Sequence, residues 1–179
     1  MALFLEPSDV SVRPATARDE APITRAQLRA WRHSHGQVVG ADALEAVDAG
    51  AVAAQWAAAL TAPPSPDHRV LVACAGPRVV GVVAWVPTDG GVEVVSLEVD
   101  PDHQRGGHGS RLLMACVDLA REGGAGHLTT WVLDGDPARE QFLGSAGLGP
   151  DGATRELGVA PGPDGSLRTV TERRWVAEL

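Results

Sequence analysis

One junction in the middle of the chain constrains the fold more than any other feature. The alternating apolar run VEVVSLEV, residues 92–99, is joined to a helical pattern at Ser110–Glu122 by a turn that contains three glycines. Gly106, Gly107 and Gly109 keep side chains away from the backbone, and the first N–H groups of a helix attract anions. The sequence therefore predicts a strand, an anion-binding turn and a helix in that order.

Apolar periodicity and turn residues predict the elements on both sides of this junction. A capping-box pattern at Thr16–Asp19 opens a first helix, and Asp42–Thr61 reads as one or two Ala-rich helices. Three β-rich runs predict an antiparallel meander: Arg69–Ala75, Val79–Pro87 and Val92–Val99. The complete predicted order is β α α β β β α β α β β, with a hairpin loop at Ala160–Gly165 between the last two strands.

Composition excludes several classes of protein. A length of 179 residues predicts one domain over residues 1–179, with residues 1–9 as a flexible N-terminal extension. A net charge of -8 argues against nucleic-acid binding, and no signal peptide or membrane segment is predicted. Cys74 and Cys116 lie in apolar runs, so neither a disulfide nor a metal site is expected, and a cytoplasmic location fits.

Two common phosphate-binding motifs do not fit the glycine turn. A Walker loop requires Lys followed by Ser or Thr after its last glycine, and here Gly109 is followed by Ser110-Arg111. A dinucleotide fingerprint requires an early βαβ unit, whereas an antiparallel meander precedes this turn. A purely structural connection between strand and helix remains the alternative to an anion site.

The turn resembles that of the GNAT superfamily of acyl-CoA-dependent N-acyltransferases. The family pattern is a strand that ends in Val-x-Pro, followed by Gln or Arg, two variable residues, Gly, one variable residue, and Gly or Ala. Val99-Asp100-Pro101 followed by Gln104-Arg105-Gly106-Gly107-His108-Gly109 matches every position. The resemblance extends from Val12 to the last strand. It implies an α/β (α+β) fold with a mixed, mostly antiparallel sheet of six to seven strands, flanked by about four helices.

The resemblance also implies acetyl-CoA as the acyl donor, with no metal. Backbone amides of the turn would bind the pyrophosphate, and the pantetheine arm would pair with the last strand of the meander where that strand splays from His127–Leu133. An N–H group near Leu97 would polarise the thioester carbonyl. The residues assigned to coenzyme A are Leu97, Val99, Gln104, Arg105, Gly106, Gly107, His108, Gly109, Ser110 and Asp136.

Attack of an amine on a thioester requires a base. Glu93 is the candidate, because it lies six residues before Val99, where many relatives carry a Glu. Strict alternation would place Glu93 on the face of Leu97, which suits a charge only if a bulge turns it. An exposed, non-catalytic Glu93 is the alternative, and Glu98 is the second candidate for the base.

A second region of the chain matches the family pattern but departs from it at two chemical positions. Asp136 stands where relatives carry Asn, and Leu143 replaces a Tyr that often protonates the leaving thiolate. The chain contains no Tyr, so that role passes to water, to Ser145, or to nothing. The matching residues are Asp136, Ala138, Phe142-Leu143 and Gly147-Leu148.

Substrate residues are less clearly indicated. In relatives the first helices and the last hairpin shape the acceptor site, which makes Trp31, His33, His35 and Trp56 candidates for its wall. Helical spacing instead favours core positions for both tryptophans. His33-Ser34-His35 lacks the further ligands of a zinc site and is expected in a satisfied or solvated loop. Two histidines of the turn are expected to be exposed: His103 and His108.

Two functions follow from this interpretation. The first is an N-acetyltransferase that moves the acetyl group of acetyl-CoA to a primary amine, on a small molecule or a protein, by direct attack in a ternary complex. The second is a catalytically weak module that binds or senses acyl-CoA. The acidic charge favours a cationic amine by steering. Homodimerisation is common in the family, and the edge of the final strands is available for it.

Overall fold

Seven strands form one mixed sheet in the computed structural model, which describes residues 10–161 and 167–179. The predicted extension over residues 1–9 lies outside the described residues, as does most of the predicted loop Ala160–Gly165. The strands are β1 Val10–Pro14, β2 Arg69–Ala75, β3 Arg78–Thr88, β4 Gly91–Val99, β5 His127–Leu133, β6 Gly149–Pro161 and β7 Leu167–Glu178.

The strand order is β1-β2-β3-β4-β5-β7-β6. Every neighbouring pair is antiparallel except β4 and β5, which run parallel because helix α5 connects them as a crossover. This topology confirms both the predicted meander and the mixed, mostly antiparallel sheet.

Four longer helices and two short ones accompany the sheet in the described ranges. They are α1 Glu20–Ser34, α2 Gly36–Val39, α3 Ala41–Glu45, α4 Ala49–Thr61, α5 His108–Glu122 and α6 Pro137–Ser145. The longer helices α1, α4, α5 and α6 correspond to the predicted ones. The sequence missed α2, which has only 4 residues and therefore too little periodicity to detect.

The two faces of the sheet bury separate apolar clusters. Leu112 and Cys116 of α5 pack against one face of the meander, whereas Ile23 of α1 and Trp56 of α4 pack against the other. Both cysteines are free and buried, as predicted. Burial raises the pKa of the Cys116 thiol to about 12, so this thiol is a core group and not a nucleophile.

In residues 10–161 and 167–179, none of the helices is both long enough and apolar enough to cross a membrane. In the same ranges, no group of three or more His, Cys, Asp or Glu side chains is placed to hold a metal ion.

Candidate active site

A gap opens between β4 and β5 at the centre of the sheet. The two strands pair only from Gly91–Val94 to His127–Thr130, and beyond that point they separate. The Thr130 hydroxyl donates to the carbonyl of Val94 at 3.0 Å and marks the closed end of the gap. The open end leads to the glycine turn, because β4 ends at Val99 immediately before it.

The unpaired edge of β4 presents main-chain groups to this gap. The Leu97 carbonyl accepts a hydrogen bond from Arg139 Nη1 at 2.6 Å, and the Val99 carbonyl accepts one from the Gln104 side chain at 3.2 Å. In a strand, the N–H and C=O of one residue point to the same side, so the amides of Leu97 and Val99 also face the gap. The edge can therefore pair with an extended ligand that supplies its own amide groups.

A bulge in β4 decides where Glu93 points. Trp85 of β3 pairs with Val94 and Ala84 pairs with Ser96, so Val95 is an extra residue without a partner. Alternation is reversed across a bulge, which moves Glu93 to the face opposite Leu97. The Glu93 carboxylate accepts a hydrogen bond from Trp131 Nε1 at 3.2 Å. The bulge required by the sequence interpretation is therefore present.

Glu98 lies on the same face as Glu93 but is bound by more partners. Its carboxylate forms an ion pair with Arg139 at 3.1 Å and accepts a hydrogen bond from Trp31 Nε1 at 3.3 Å. A carboxylate held by a guanidinium is a weaker proton acceptor than one held by a neutral donor. Glu93 is thus better suited than Glu98 to take a proton.

The glycine turn adopts a backbone conformation that glycine permits. Gly107 has φ +78° and Arg105 has φ +61°, both in the left-handed region. A Cβ atom at Gly107 would lie 2.8 Å from Arg111 Nη1, which leaves no room for a side chain unless Arg111 shifts. Helix α5 begins directly after Gly107, so the N–H groups of its first residues, including Gly109 and Ser110, have no acceptor within the helix.

The prediction that both histidines of the turn are exposed is wrong: His103 is half-buried, and His108 is buried. This residue is buried, because the side chain of the first helical residue points back over the preceding turn, where its ring packs at 74° to that of His103. Burial lowers the pKa of His108, and the neighbouring His103 and Arg111 lower it further. His108 therefore supports the turn as a neutral side chain, while its N–H stays at the helix start.

Asp136 ends the loop after β5 and starts α6. One carboxylate oxygen, Oδ1, accepts from the backbone N–H of Arg139 at 3.0 Å, and the other, Oδ2, lies 3.5 Å from His35 Nε2. Burial acts to raise the pKa of Asp136, but His35 and the Arg139 N–H outweigh it, so the pKa is lowered. Asp136 is therefore an ionised group with both oxygens already in contact with the protein.

A cavity of about 430 Å³ lies over the gap and joins these groups. Residues from α1, β4, β5, α6 and the β6–β7 hairpin line it. Its polar lining residues include Trp31, His35, Glu93, Glu98, Thr130, Trp131, Asp136, Arg139, Arg155 and Glu172. Trp131 lies beneath the guanidinium of Arg155 at 4.2 Å, and Arg155 forms an ion pair with Glu172 at 2.6 Å.

The four candidates for the acceptor wall divide into two pairs. Trp31 and His35 line the cavity. Trp56 is a core residue, as helical spacing favoured, and its indole donates to Gln27 at 2.8 Å. His33 is exposed, and the expectation of a loop at this position is wrong because α1 continues through Ser34.

Sequence reasoning missed Arg139, Trp131 and Arg155. Each contacts a residue that is distant in the sequence. Arg139 and Leu97, for example, are 42 positions apart. Local periodicity carries no signal for such pairs.

Ser145, considered as a proton donor, lies at the far end of α6. Its hydroxyl donates to the Phe142 carbonyl at 2.7 Å, and the residue is exposed.

Comparison with known proteins decides the family. The sequence model of the Acetyltransferase (GNAT) family matches residues 26–147, which is more than half of the chain. The chain belongs to the GNAT acetyltransferase family. The matched range contains the glycine turn, both strands of the gap and helix α6. No curated protein sequence matches this chain.

Solved structures share the GNAT fold with this chain. The PaiA N-acetyltransferase of Thermoplasma acidophilum in complex with coenzyme A is 11% identical, with a TM-score of 0.75 over 95% of this chain and 99% of that one. A putative acetyltransferase of Salmonella typhimurium with its cofactor acetyl-CoA is 25% identical, with a TM-score of 0.68 over 95% and 94%. The ribosomal-protein-S18-alanine N-acetyltransferase of Escherichia coli is 15% identical, with a TM-score of 0.67 over 94% and 93%.

Proposed function

We propose that this GNAT enzyme transfers the acetyl group of acetyl-CoA to a primary amine by direct attack in a ternary complex. One observation carries the proposal. The gap between β4 and β5 runs from the glycine turn to the cavity that contains Glu93, so one path connects an anion site to a base. Acetyl-CoA supplies an activated acyl group, and its ends match this path: a pyrophosphate at one end and a thioester at the other.

The glycine turn supports binding of the pyrophosphate. The N–H groups from Arg105 to Ser110 surround the start of α5, where the helix dipole favours negative charge. The left-handed backbone at Gly107 suits a glycine, and the Arg111 guanidinium lies beside it, where a Cβ would stand 2.8 Å from its Nη1. The turn therefore holds the donor mainly through backbone groups, and its Arg side chains add charge.

The exposed edge of β4 supports binding of the pantetheine arm. Amide groups of the arm pair with Leu97 and Val99, and the Leu97 N–H stabilises negative charge that develops on the thioester oxygen. The arm has to displace Arg139 from the Leu97 carbonyl or share that carbonyl with it. Asp136 lies at the entry to α6 and contacts the arm through lone pairs that His35 and Arg139 leave free.

Glu93 acts as the base that accepts the proton of the attacking ammonium, directly or through one water. The Trp131 N–H fixes the orientation of its carboxylate, which lines the cavity. The nitrogen then forms a bond to the carbonyl carbon while the bond from carbon to sulfur breaks. Catalysis of this kind by a positioned base contributes roughly 100-fold to 10,000-fold in rate.

The acceptor is a small molecule or a protein that carries a primary amine. The cavity contains the carboxylates of Glu93, Glu98, Asp136 and Glu172 against two guanidinium groups. This excess of negative charge favours a cationic amine. The Escherichia coli neighbour is named a ribosomal-protein-S18-alanine N-acetyltransferase, which supports including a protein amino group among the acceptors.

A homodimer remains part of the proposal. In the described sheet β6 forms an edge, and the exposed side chain of Leu167 on the neighbouring strand β7 lies close to it. Open strand edges are ready to pair with a second chain. Sedimentation of the purified protein at several concentrations tests this association.

A weak acyl-CoA sensor is the second candidate. Leu143 is fully buried at the position where relatives carry a Tyr, and Arg139 occupies a carbonyl that the pantetheine arm requires. The first feature would slow turnover without weakening binding, which favours a sensor, whereas the second would weaken binding of the donor.

Two measurements test these proposals. Calorimetric titration with acetyl-CoA, with ATP and NAD as controls, is expected to show micromolar binding of acetyl-CoA alone. Release of free coenzyme A in the presence of a panel of amines is then expected for the enzyme. Binding without release would support the sensor, and failure to bind acetyl-CoA would reject both.

A further inference from the structure

We propose that His35 is the proton donor to the leaving thiolate and that Asp136 positions it, which gives this chain an acid in place of the absent Tyr. The inference rests on the proposed function. Nothing in the sequence pattern of α1 assigns such a role to His35, and the pair forms only because α6 begins beside the end of α1.

The first requirement for an acid is a supply of protons in the cavity. Leu143 cannot donate a proton, Ser145 lies outside the cavity, and both cysteines are in the core. Among the described residues, His35 is the only histidine that lines the cavity. Histidine is the side chain that most readily gives and takes protons near neutral pH.

The second requirement is orientation. His35 follows the last residue of α1, where its backbone N–H donates to the Trp31 carbonyl at 2.8 Å and fixes the chain. The His35 and Asp136 side chains are 14% and 9% exposed, so the surrounding protein restricts both. Nε2 faces Asp136 at 3.5 Å, and Nδ1 has no hydrogen-bond partner among the described residues. A carboxylate on one ring nitrogen leaves the other free to exchange a proton with a reactant, as in other acid–base pairs.

The third requirement is location. Asp136 lies three residues after the end of β5, at the mouth of the gap through which the pantetheine arm enters the cavity. The thioester must stand where the arm meets Glu93, and the same cavity holds both Glu93 and His35. Base and acid therefore approach the reacting carbon from two places: β4 supplies the base, and the residue that follows α1 supplies the acid.

Charged groups on every wall act on His35. Asp136 and Arg139 face it from α6, Glu93 and Glu98 from β4, and the ion pair of Arg155 with Glu172 closes the side of the hairpin. Each guanidinium is already paired with a glutamate. Asp136, kept ionised by its lowered pKa, is thus the nearest group able to stabilise a positive charge on the ring.

The step balances without a further reactant. The carbon–sulfur electron pair stays on sulfur, the thiolate takes a proton from His35 Nδ1, and the neutral imidazole remains. The ammonium nitrogen loses two protons. Glu93 accepts the first, which leaves to solvent. The second leaves the nitrogen as it bonds to the carbonyl carbon and returns through Glu93 and cavity water to His35, so both groups are restored and one proton is released per turnover.

The test compares His35→Gln with His33→Gln, a matched control that lies two residues earlier, in the last turn of α1, and is exposed. Acetyl-CoA affinity is measured by calorimetry and turnover by release of coenzyme A across pH 6 to 9. We expect His35→Gln to lower kcat by roughly 100-fold or more, to abolish the fall of kcat on the alkaline side, and to leave acetyl-CoA affinity within about twofold. His33→Gln is expected to match the wild type.

Two further variants separate chemistry from a loss of folding. Imidazole added to His35→Ala is expected to restore kcat by roughly tenfold, which a structural role would not allow. Asp136→Asn keeps the helix cap but removes the negative charge that stabilises a protonated His35 ring. The fall of kcat at alkaline pH, the alkaline limb, is therefore expected to begin at lower pH.

The outcomes are distinct. A wild type that does not bind acetyl-CoA or release coenzyme A overturns the proposed function and this inference together. A wild type that turns over while His35→Gln keeps both its kcat and its alkaline limb overturns this inference alone. An alkaline limb unmoved in Asp136→Asn overturns the positioning role of Asp136.

Discussion

The glycine turn and the cavity over the gap are the two halves of one site, and they are built on different principles. In the proposed site, the turn binds the donor through backbone groups of six consecutive residues, Arg105–Ser110. The cavity depends on side chains from positions as far apart as His35 and Glu172. Backbone recognition needs a local conformation, whereas side-chain chemistry needs the packing of the whole domain.

The difference has a chemical consequence. Backbone amides do not titrate, so the turn binds an anion over a wide range of pH. The cavity contains carboxylates and a histidine, and in the proposed mechanism their protonation governs its chemistry. Substitutions in the turn should therefore change donor affinity, and substitutions in the cavity should change kcat and its dependence on pH.

The largest expected effect is a loss of acetyl-CoA affinity when the glycine turn is changed. Gly107→Glu places a carboxylate and a Cβ where the pyrophosphate binds, and we expect a loss of acetyl-CoA affinity of roughly 100-fold or more. Gly124→Glu is the control. Gly124 lies just beyond the other end of α5 and has a similar φ of +82°, and a Cβ there would meet nothing within 4 Å. Calorimetry measures both. Equal affinities in the two variants would show that the turn is only a structural connection.

The second effect lies in the cavity. Glu93→Gln removes the base but keeps the shape of the side chain, so we expect kcat to fall by roughly 100-fold or more with little change in acetyl-CoA affinity. Glu98→Gln is the matched comparison on the same strand face, and a smaller loss is expected because Arg139 already engages Glu98. Release of coenzyme A is measured across pH 6 to 9. Full activity of Glu93→Gln throughout that range would exclude Glu93 as the base.

The two halves also differ in how far the sequence predicts them. The order of strand, turn and helix follows from local periodicity, and the three glycines mark the turn directly. The bulge at Val95 was stated only as a condition, because it depends on the register between β3 and β4. His108 was expected to be exposed, since the sequence does not show that the turn before α5 folds back beneath its ring.

Contacts across the cavity were the hardest to predict. Arg139 binds the Leu97 carbonyl, and Asp136 contacts His35, only because α6 begins next to the edge of β4 and the end of α1. The sequence identified Asp136 and His35 separately, the first from the family pattern and the second as a candidate for the acceptor wall. Their contact is a property of the tertiary fold.

A smaller effect tests how the cavity orients its base. Trp131→Phe keeps an aromatic ring beneath Arg155 but removes the N–H that Glu93 accepts at 3.2 Å. Loss of one such hydrogen bond costs about 1 kcal/mol, so kcat should fall roughly fivefold while acetyl-CoA affinity is unchanged. Steady-state kinetics with a saturating donor measure this change. An unchanged kcat would mean that the base does not depend on Trp131 for its orientation.

The smallest effect on activity concerns the start of α1, the helix that brings Trp31 and His35 to the cavity. Asp19 accepts hydrogen bonds from Arg13 at 2.7 and 2.8 Å and from the Thr16 N–H at 2.7 Å. The Arg13 guanidinium, together with Thr16 and against the effect of burial, lowers the pKa of Asp19 from 3.8 to about 2. Because the pKa is lower in the folded state, ionised Asp19 stabilises the fold above about pH 4, and this stabilisation is lost as the pH falls towards 2.

Asp19→Asn should therefore lower the free energy of unfolding by about 1 to 2 kcal/mol at pH 7, with kcat and acetyl-CoA affinity unchanged. Urea unfolding of both proteins at pH 7 and at pH 3 measures the difference, which should be smaller at pH 3 because part of the Asp19 population is then protonated in the unfolded chain. A difference that stays constant with pH would show that packing at Asp19 matters more than its charge. If fully folded Asp19→Asn lost kcat, the start of α1 would control the position of His35 and not only the stability of the helix.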